Sequence, residues 1–298
     1  QTQLPMYATL LGNVINVVLN YLLIFGMHGF PELGIEGAAI GTLIARWSMV
    51  LFMVIGVINK KSFKRYYHKI FSVKLRKSLF KNIFSLGLPS ALQMFFEVTF
   101  FTTAIWMSGL LGKNPQAANQ IALNLSTVTY MVAMGLGVTA MIRVGNQKGR
   151  GDFTSLKTVA FSCFLLIFII DFFFCLFFVG FHDVLPWLYL DGDSLTLEKD
   201  VIEVVNIASR LMLIAAFFQI ADGVQAVVLG ALKGVQDVVV PAVLIFISYG
   251  LIGFPTSYFL GLKTDMGASG IWMGLLTGLT VSAFLLLLRF YYLTKKMV

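Results

Sequence analysis

Eight apolar runs, each long enough to cross the roughly 30 Å hydrocarbon core of a bilayer, constrain this chain more than any other feature. They lie near 5–26, 35–58, 83–110, 117–142, 154–180, 201–230, 238–260 and 268–292, separated by short breaks rich in Gly and Pro. A single soluble core cannot bury so much apolar surface. Hydrophobic residues make up 58% of the chain and charged residues 12%, against about 45–50% and about a quarter in soluble domains. Unbroken runs of this length also exclude a transmembrane barrel, whose strands alternate over about ten residues. The expected fold is therefore an all-α integral membrane protein with about eight transmembrane helices.

The breaks alternate in charge. The segment 59–82 holds Lys60, Lys61, Lys64, Arg65, Lys69, Lys74, Arg76, Lys77 and Lys81 and no acid. Arg143, Lys148, Arg150 and Lys157 surround a second break, Lys233 marks a third, and Arg289, Lys295 and Lys296 mark the C-terminus. With eight spans all four regions fall on one face, and they contain 17 of the 22 basic residues. The positive-inside rule makes that face, and the C-terminus, cytoplasmic. The opposite face carries 181–200, with Asp183, Asp191, Asp193, Glu198 and Asp200 against Lys199. The net charge of +8 is thus explained by membrane topology and not by nucleic-acid binding, for which no module is present. Cys163 and Cys175 share one predicted helix about 18 Å apart, too far for a disulfide.

An internal repeat sets the organisation. Leu33-Gly-Ile-Glu-Gly-Ala-Ala-Ile-Gly41 matches Met266-Gly-Ala-Ser-Gly-Ile-Trp-Met-Gly274 at three glycines, and a span opening with proline (Pro5, Pro241) precedes each. Spans 1–2 then correspond to spans 7–8. On this reading 1–58 is the last pair of helices of an N-terminal lobe, 59–82 a basic cytoplasmic linker, and 83–298 a six-helix C-terminal lobe. The expected whole is a 12-helix transporter of two parallel lobes, most of whose first lobe precedes Gln1.

Ionisable groups at membrane depth are costly and so are functional candidates. Glu97 sits midway along span 3 with Gln93 one turn before it, and Asp222 lies deep in span 6 between Gln219 and Gln225. Span 4 offers Gln120, Asn124 and Thr127 on one stripe. Three polar faces in one lobe predict a hydrated cavity, where each carboxylate should hold a proton or a cation such as Na⁺. Asp171, with only apolar neighbours on its own helix, and Arg46 are given no role, and Arg210 is expected to snorkel outward. His28, His68 and His182 fall in breaks. No phosphate-binding loop, nucleophile elbow or metal motif occurs, so no enzyme and no cofactor is expected.

Several pieces, in order along nearly the whole chain, resemble the multidrug and toxic compound extrusion (MATE) transporters, specifically their bacterial branch. They are Asn13-Val-Ile-Asn-Val-Val-Leu-Asn-Tyr21, Leu33 to Thr42, Gly87-Leu-Pro-Ser-Ala-Leu-Gln-Met-Phe-Phe-Glu97, Ala117-Ala-Asn-Gln-Ile121, Arg143-Val-Gly-Asn-Gln147, Asp222-Gly-Val-Gln225 and Gly230-Ala-Leu-Lys-Gly234.

The resemblance implies alternating access and export of cationic amphiphilic compounds in exchange for Na⁺ or H⁺. It gives Glu97 and Asp222 the cation-binding role, with Na⁺ as a candidate metal, and makes Gln120 and Phe101 cavity-lining with Gln93, Asn124, Gln219 and Gln225. Phe218 stands where a Tyr would complete such a site, which weighs against Na⁺. A monomer in the bacterial inner membrane, with small organic cations and lipid as partners, is the expected setting. The alternatives are a flippase for a lipid-linked oligosaccharide, which should show a cationic cavity, and a membrane transferase, for which no acid or His-Asp cluster is found.

Overall fold

The computed structural model describes residues 3–59, 76–190 and 199–297. Among them eight helices are long and apolar enough to cross a membrane: α1 (Gln3–Ile24), α2 (Gly34–Asn59), α3 (Lys77–Leu110), α4 (Lys113–Arg150), α5 (Phe153–Phe181), α6 (Lys199–Gly234), α7 (Val239–Leu262) and α8 (Gly267–Lys295). The chain forms two compact units, Gln1–Lys77 and Ser78–Val298. The basic segment 59–82 lies mostly outside the described residues, as does the acidic stretch 191–198. Of the former, Lys77 and Lys81 belong to the start of α3.

The apolar runs locate the helices well and their ends less well. The break expected at 145–152 is helical as far as Arg150, giving α4 38 residues and a length of about 57 Å. Its last two turns carry Arg143, Lys148 and Arg150. Hydropathy stops at the membrane; backbone hydrogen bonding does not.

What ends α4 is Gly151, in the left-handed region at φ 74°. Its N–H and that of Asp152 bond back to Lys148 and Gln147, closing a Schellman turn. Asp152 then caps α5 by accepting from the Ser155 amide at 2.9 Å, and that bond holds its carboxyl below the ordinary aspartate range. After α6 the same turn recurs with Gln236 as the left-handed residue, at φ 63°. Gln236 N–H bonds to Lys233 and Asp237 N–H to Leu232.

A non-glycine residue in this position costs about 1–2 kcal/mol, and two neighbouring helices hold it. Lys148 Nζ donates to the Val235 carbonyl, and Arg289 Nε of α8 donates to Asp237 Oδ2 at 2.7 Å. Because Asp237 and Arg289 are only 14% and 25% exposed, Asp237→Ala is expected to lower stability by about 2 kcal/mol, within the range for charged hydrogen bonds. Thermal unfolding of the detergent-solubilised protein checks this.

The internal repeat holds in three dimensions. Gly34 and Gly267 open α2 and α8 at φ 53° and 54°. A Cβ on Gly37 would meet the Leu23 carbonyl, and one on Gly270 the Leu260 carbonyl. Gly41 sits against Asn20, and Gly274 against Ser257. The α1–α2 and α7–α8 pairs therefore pack on the same glycine stripe, which lets two backbones approach where a side chain would separate them.

In the second unit α6 is the central element, packed against α4, α5 and α8. Its approach to α4 runs over Gly137, Gly145, Gly230 and Gly234, whose missing side chains leave backbone facing backbone. A π-helical stretch, Ile247–Gly253, interrupts α7. Within it Tyr249 stacks on Phe100 of α3 with ring centroids 4.7 Å apart.

Candidate functional site

Three helices of the second unit wall a cavity of about 410 Å³, within the range of small-molecule sites. α3 contributes Met94, Glu97, Val98, Phe101, Thr102 and Ile105, and α4 contributes Gln120, Asn124, Thr127, Tyr130 and neighbouring residues. Phe218 and Asp222 come from α6. Three expected lining residues, Phe101, Gln120 and Asn124, thus meet the two carboxylates Glu97 and Asp222 on one cavity. Among the described residues no Lys or Arg lines it. Its polar groups are carboxylates, amides and hydroxyls among aromatic and aliphatic walls.

A second cavity of about 270 Å³ shares Met94, Glu97 and Tyr130 with the first. It continues past Gln93, Gln225 and Gly230 to Lys233 at the last turn of α6. The two cavities meet at a hydrogen bond in which Tyr130 Oη donates to Glu97 Oε1 at 3.3 Å.

Each polar residue is placed by a specific contact. Gln93, 1% exposed, donates from Nε2 to the Val238 carbonyl at 2.7 Å and so fixes α3 to the start of α7. Phe96 on Phe246, with centroids 5.0 Å apart, continues that contact and sets the height of Glu97. Gln225 accepts from Tyr249 Oη at 2.8 Å. Phe218, 1% exposed, packs between Phe101 and Trp272, at 6.0 and 5.3 Å between centroids. The Trp272 indole in turn donates to Asn119 Oδ1 at 2.9 Å. Asp222, 5% exposed, has Oδ1 buried with no hydrogen-bond partner among the described residues.

Three placements differ from expectation. Gln219 lines neither cavity: it is 3% exposed and sits about 60° round α6 from Asp222, on the side toward α5. Asp171 is 1% exposed and packs against Gly223 of α6, where its carboxylate occupies the space a Cβ would need. Tyr130 did not stand out in the sequence, although it follows Thr127 by three residues on the stripe already marked by Gln120 and Asn124. Arg210 is exposed on α6 and Arg46 is exposed on α2.

Phe218 lacks the hydroxyl that would reach a cation beside Asp222, and the Tyr130 hydroxyl serves Glu97 from another helix.

Comparisons with known proteins agree with this architecture. A family model described as MatE matches residues 89–259. The chain is 33% identical over 298 residues to "Probable multidrug resistance protein NorM" of Bacillus anthracis, covering 99% of this chain and 63% of that protein. It is 34% identical over 308 residues to "Multidrug resistance protein MdtK" of Yersinia pseudotuberculosis, covering 99% and 64%. The crystal structure of the eukaryotic MATE transporter AtDTX14 superposes with a TM-score of 0.82 at 23% identity, over 99% of this chain and 64% of that one. The chain therefore spans a little under two thirds of the length of these proteins.

Proposed function

The chain belongs to the MatE family, and from that premise we propose that the protein is an antiporter. It exports small organic cations across the membrane in exchange for H⁺ or Na⁺ held at Glu97 and Asp222. The observation that carries this reading is that these two carboxylates, 125 residues apart in the sequence, line one cavity that contains no cationic side chain among the described residues. An unpaired carboxylate at that depth is stable only with a proton, a metal ion or a cationic guest. Two guests that need the same carboxylates exclude one another, which is the physical basis of exchange. Phe101 and the walls around it offer aromatic and aliphatic surface to a flat, lipophilic cation, and a cation over a ring face gains about 0.5–2 kcal/mol.

Membership also favours a transporter over an enzyme. The bacterial relatives and the positive-inside rule support a multi-pass protein of the bacterial plasma membrane, with the basic helix ends and the C-terminus in the cytoplasm. We take 83–298 as one six-helix lobe and 1–58 as the final helix pair of a preceding one. The matched helix pairs α1–α2 and α7–α8 support this parallel arrangement.

The flippase reading requires basic groups for a pyrophosphate, and among the described residues Lys233, at the far end of the second cavity, is the only one lining either cavity. Dye efflux separates the readings. In cells expressing the full-length protein, ethidium is expected to leave only under an imposed Na⁺ or pH gradient. Ethidium retained under every gradient favours the flippase.

A further inference from the structure

Among the described residues, Asp171 is the one buried carboxylate that the exchange site leaves without a task. It projects from α5 onto α6 at Gly223 and lines neither cavity. It is 1% exposed, and its Oδ2 has no hydrogen-bond partner among the described residues. Gly223 makes its position possible: a Cβ there would collide with the Asp171 carboxylate. Asp222, the residue before it, is about 100° round the helix and lines the cavity.

Gln219 stands between them. On the α6 wheel it lies about 60° from Asp222 on one side and about 40° from Gly223 on the other, and residues three and four apart have Cβ atoms about 5–6 Å apart. Both Gln219 amide atoms, Nε2 and Oε1, are buried without a partner among the described residues, in a side chain only 3% exposed. Buried polar groups left open in this way call for an explanation such as a bound proton, ion or water. Asp171 Oδ2 and Asp222 Oδ1 are likewise buried without a partner among the described residues.

We propose that Asp171 is a second proton-binding group, set against α6 at Gly223 beside Asp222, so that the lobe holds a proton at a position the transported cation does not reach. A proton suits the site better than a metal ion. The space around Asp171 is filled by Gly223 and Ile167, whereas a metal ion needs room for several oxygens.

The titratable groups that bear on Asp171 are few. Asp222 of α6 lies close enough for their charges to interact. Cys175 is one turn on along α5. Glu97, Tyr130 and Tyr249 act on Asp222 from its far side. Arg143 of α4 lies near Cys163, and Phe290, next to Arg289 of α8, packs on Phe164, so both arginines sit about two turns of α5, roughly 11 Å, from Asp171, while Arg210 is about 18 Å up α6 from Asp222. Asp171 forms no ion pair among the described residues, and two coupled acids release their protons in separate steps.

The proposal concerns the same lobe as the exchange site, but its readout is a proton on Asp171 and not transport. It can therefore fail while the antiporter reading stands, and the reverse. Infrared spectroscopy of the full-length protein in lipid, in a Glu97→Gln background, counts protonated carboxyl bands near neutral pH. Adding Asp222→Asn is expected to leave a band that the further change Asp171→Asn removes, and Asp171→Asn alone to remove one band. A spectrum unchanged by Asp171→Asn overturns the proposal. If that variant does not fold, Gly223→Ala decides: its Cβ displaces the Asp171 carboxyl, so the band must shift, and a band that stays in place overturns it equally.

Discussion

Asp222→Asn and Glu97→Gln are each expected to abolish gradient-driven efflux while leaving the protein in the membrane at normal levels. Both substitutions keep the shape of the side chain and remove its charge. The guest cation then loses a charge-assisted interaction worth about 1.5–3 kcal/mol, roughly ten- to a hundredfold in affinity. Loss of coupling adds to loss of affinity, because a neutral amide releases nothing when the exchanging ion arrives. The double variant should be no worse than the more severe single one, since groups that act as a unit are not additive. Retained efflux in either single variant would move coupling away from this cavity.

The largest structural effect is expected at the crossing of α4 and α6. Gly230 faces the Gly137 backbone carbonyl so closely that even a Cβ would overlap it. Relief would require the helices to separate along a contact that also includes Gly145 and Gly234. Gly230→Val is therefore expected to destabilise by about 3 kcal/mol, the upper end for overpacking, and to reduce the yield of folded protein. Gly135, with open space around its Cβ position, is the control: Gly135→Ala should be neutral in the same unfolding assay.

Much of this was legible before the structure, for a physical reason. Bilayer thickness fixes the length of each apolar run, so the eight spans follow from hydropathy alone. The glycines of α2 and α8 betrayed a repeated packing because close approach demands the same residue type each time. Membrane depth made Glu97 and Asp222 conspicuous, the polar stripe of α4 marked Gln120 and Asn124, and the family resemblance added Phe101.

What stayed hidden depends on contacts between helices. Tyr130 escaped because an aromatic residue is ordinary at that depth, and only its distance to Glu97 marks it. Asp171 looked isolated because its environment was sought on its own helix. Its neighbour is a glycine on α6, and a missing side chain leaves no signature of what fills the gap. Gln219 was assigned to the cavity by its nearness to Asp222, yet about 60° of rotation takes it off the cavity wall. The overrun of α4 and the π-helical stretch of α7 likewise leave no mark in hydropathy, which is blind to hydrogen-bond register.

The central claim is that drug and coupling ion compete for the same carboxylates. Equilibrium binding of ethidium to the purified full-length protein tests it most directly, with Na⁺ concentration and pH varied separately. Competition predicts that added Na⁺ or acid displaces ethidium from the unaltered protein, and that Asp222→Asn abolishes the displacement by whichever ion couples. Displacement that persists unchanged in Asp222→Asn, or ethidium binding indifferent to both ions, would contradict it.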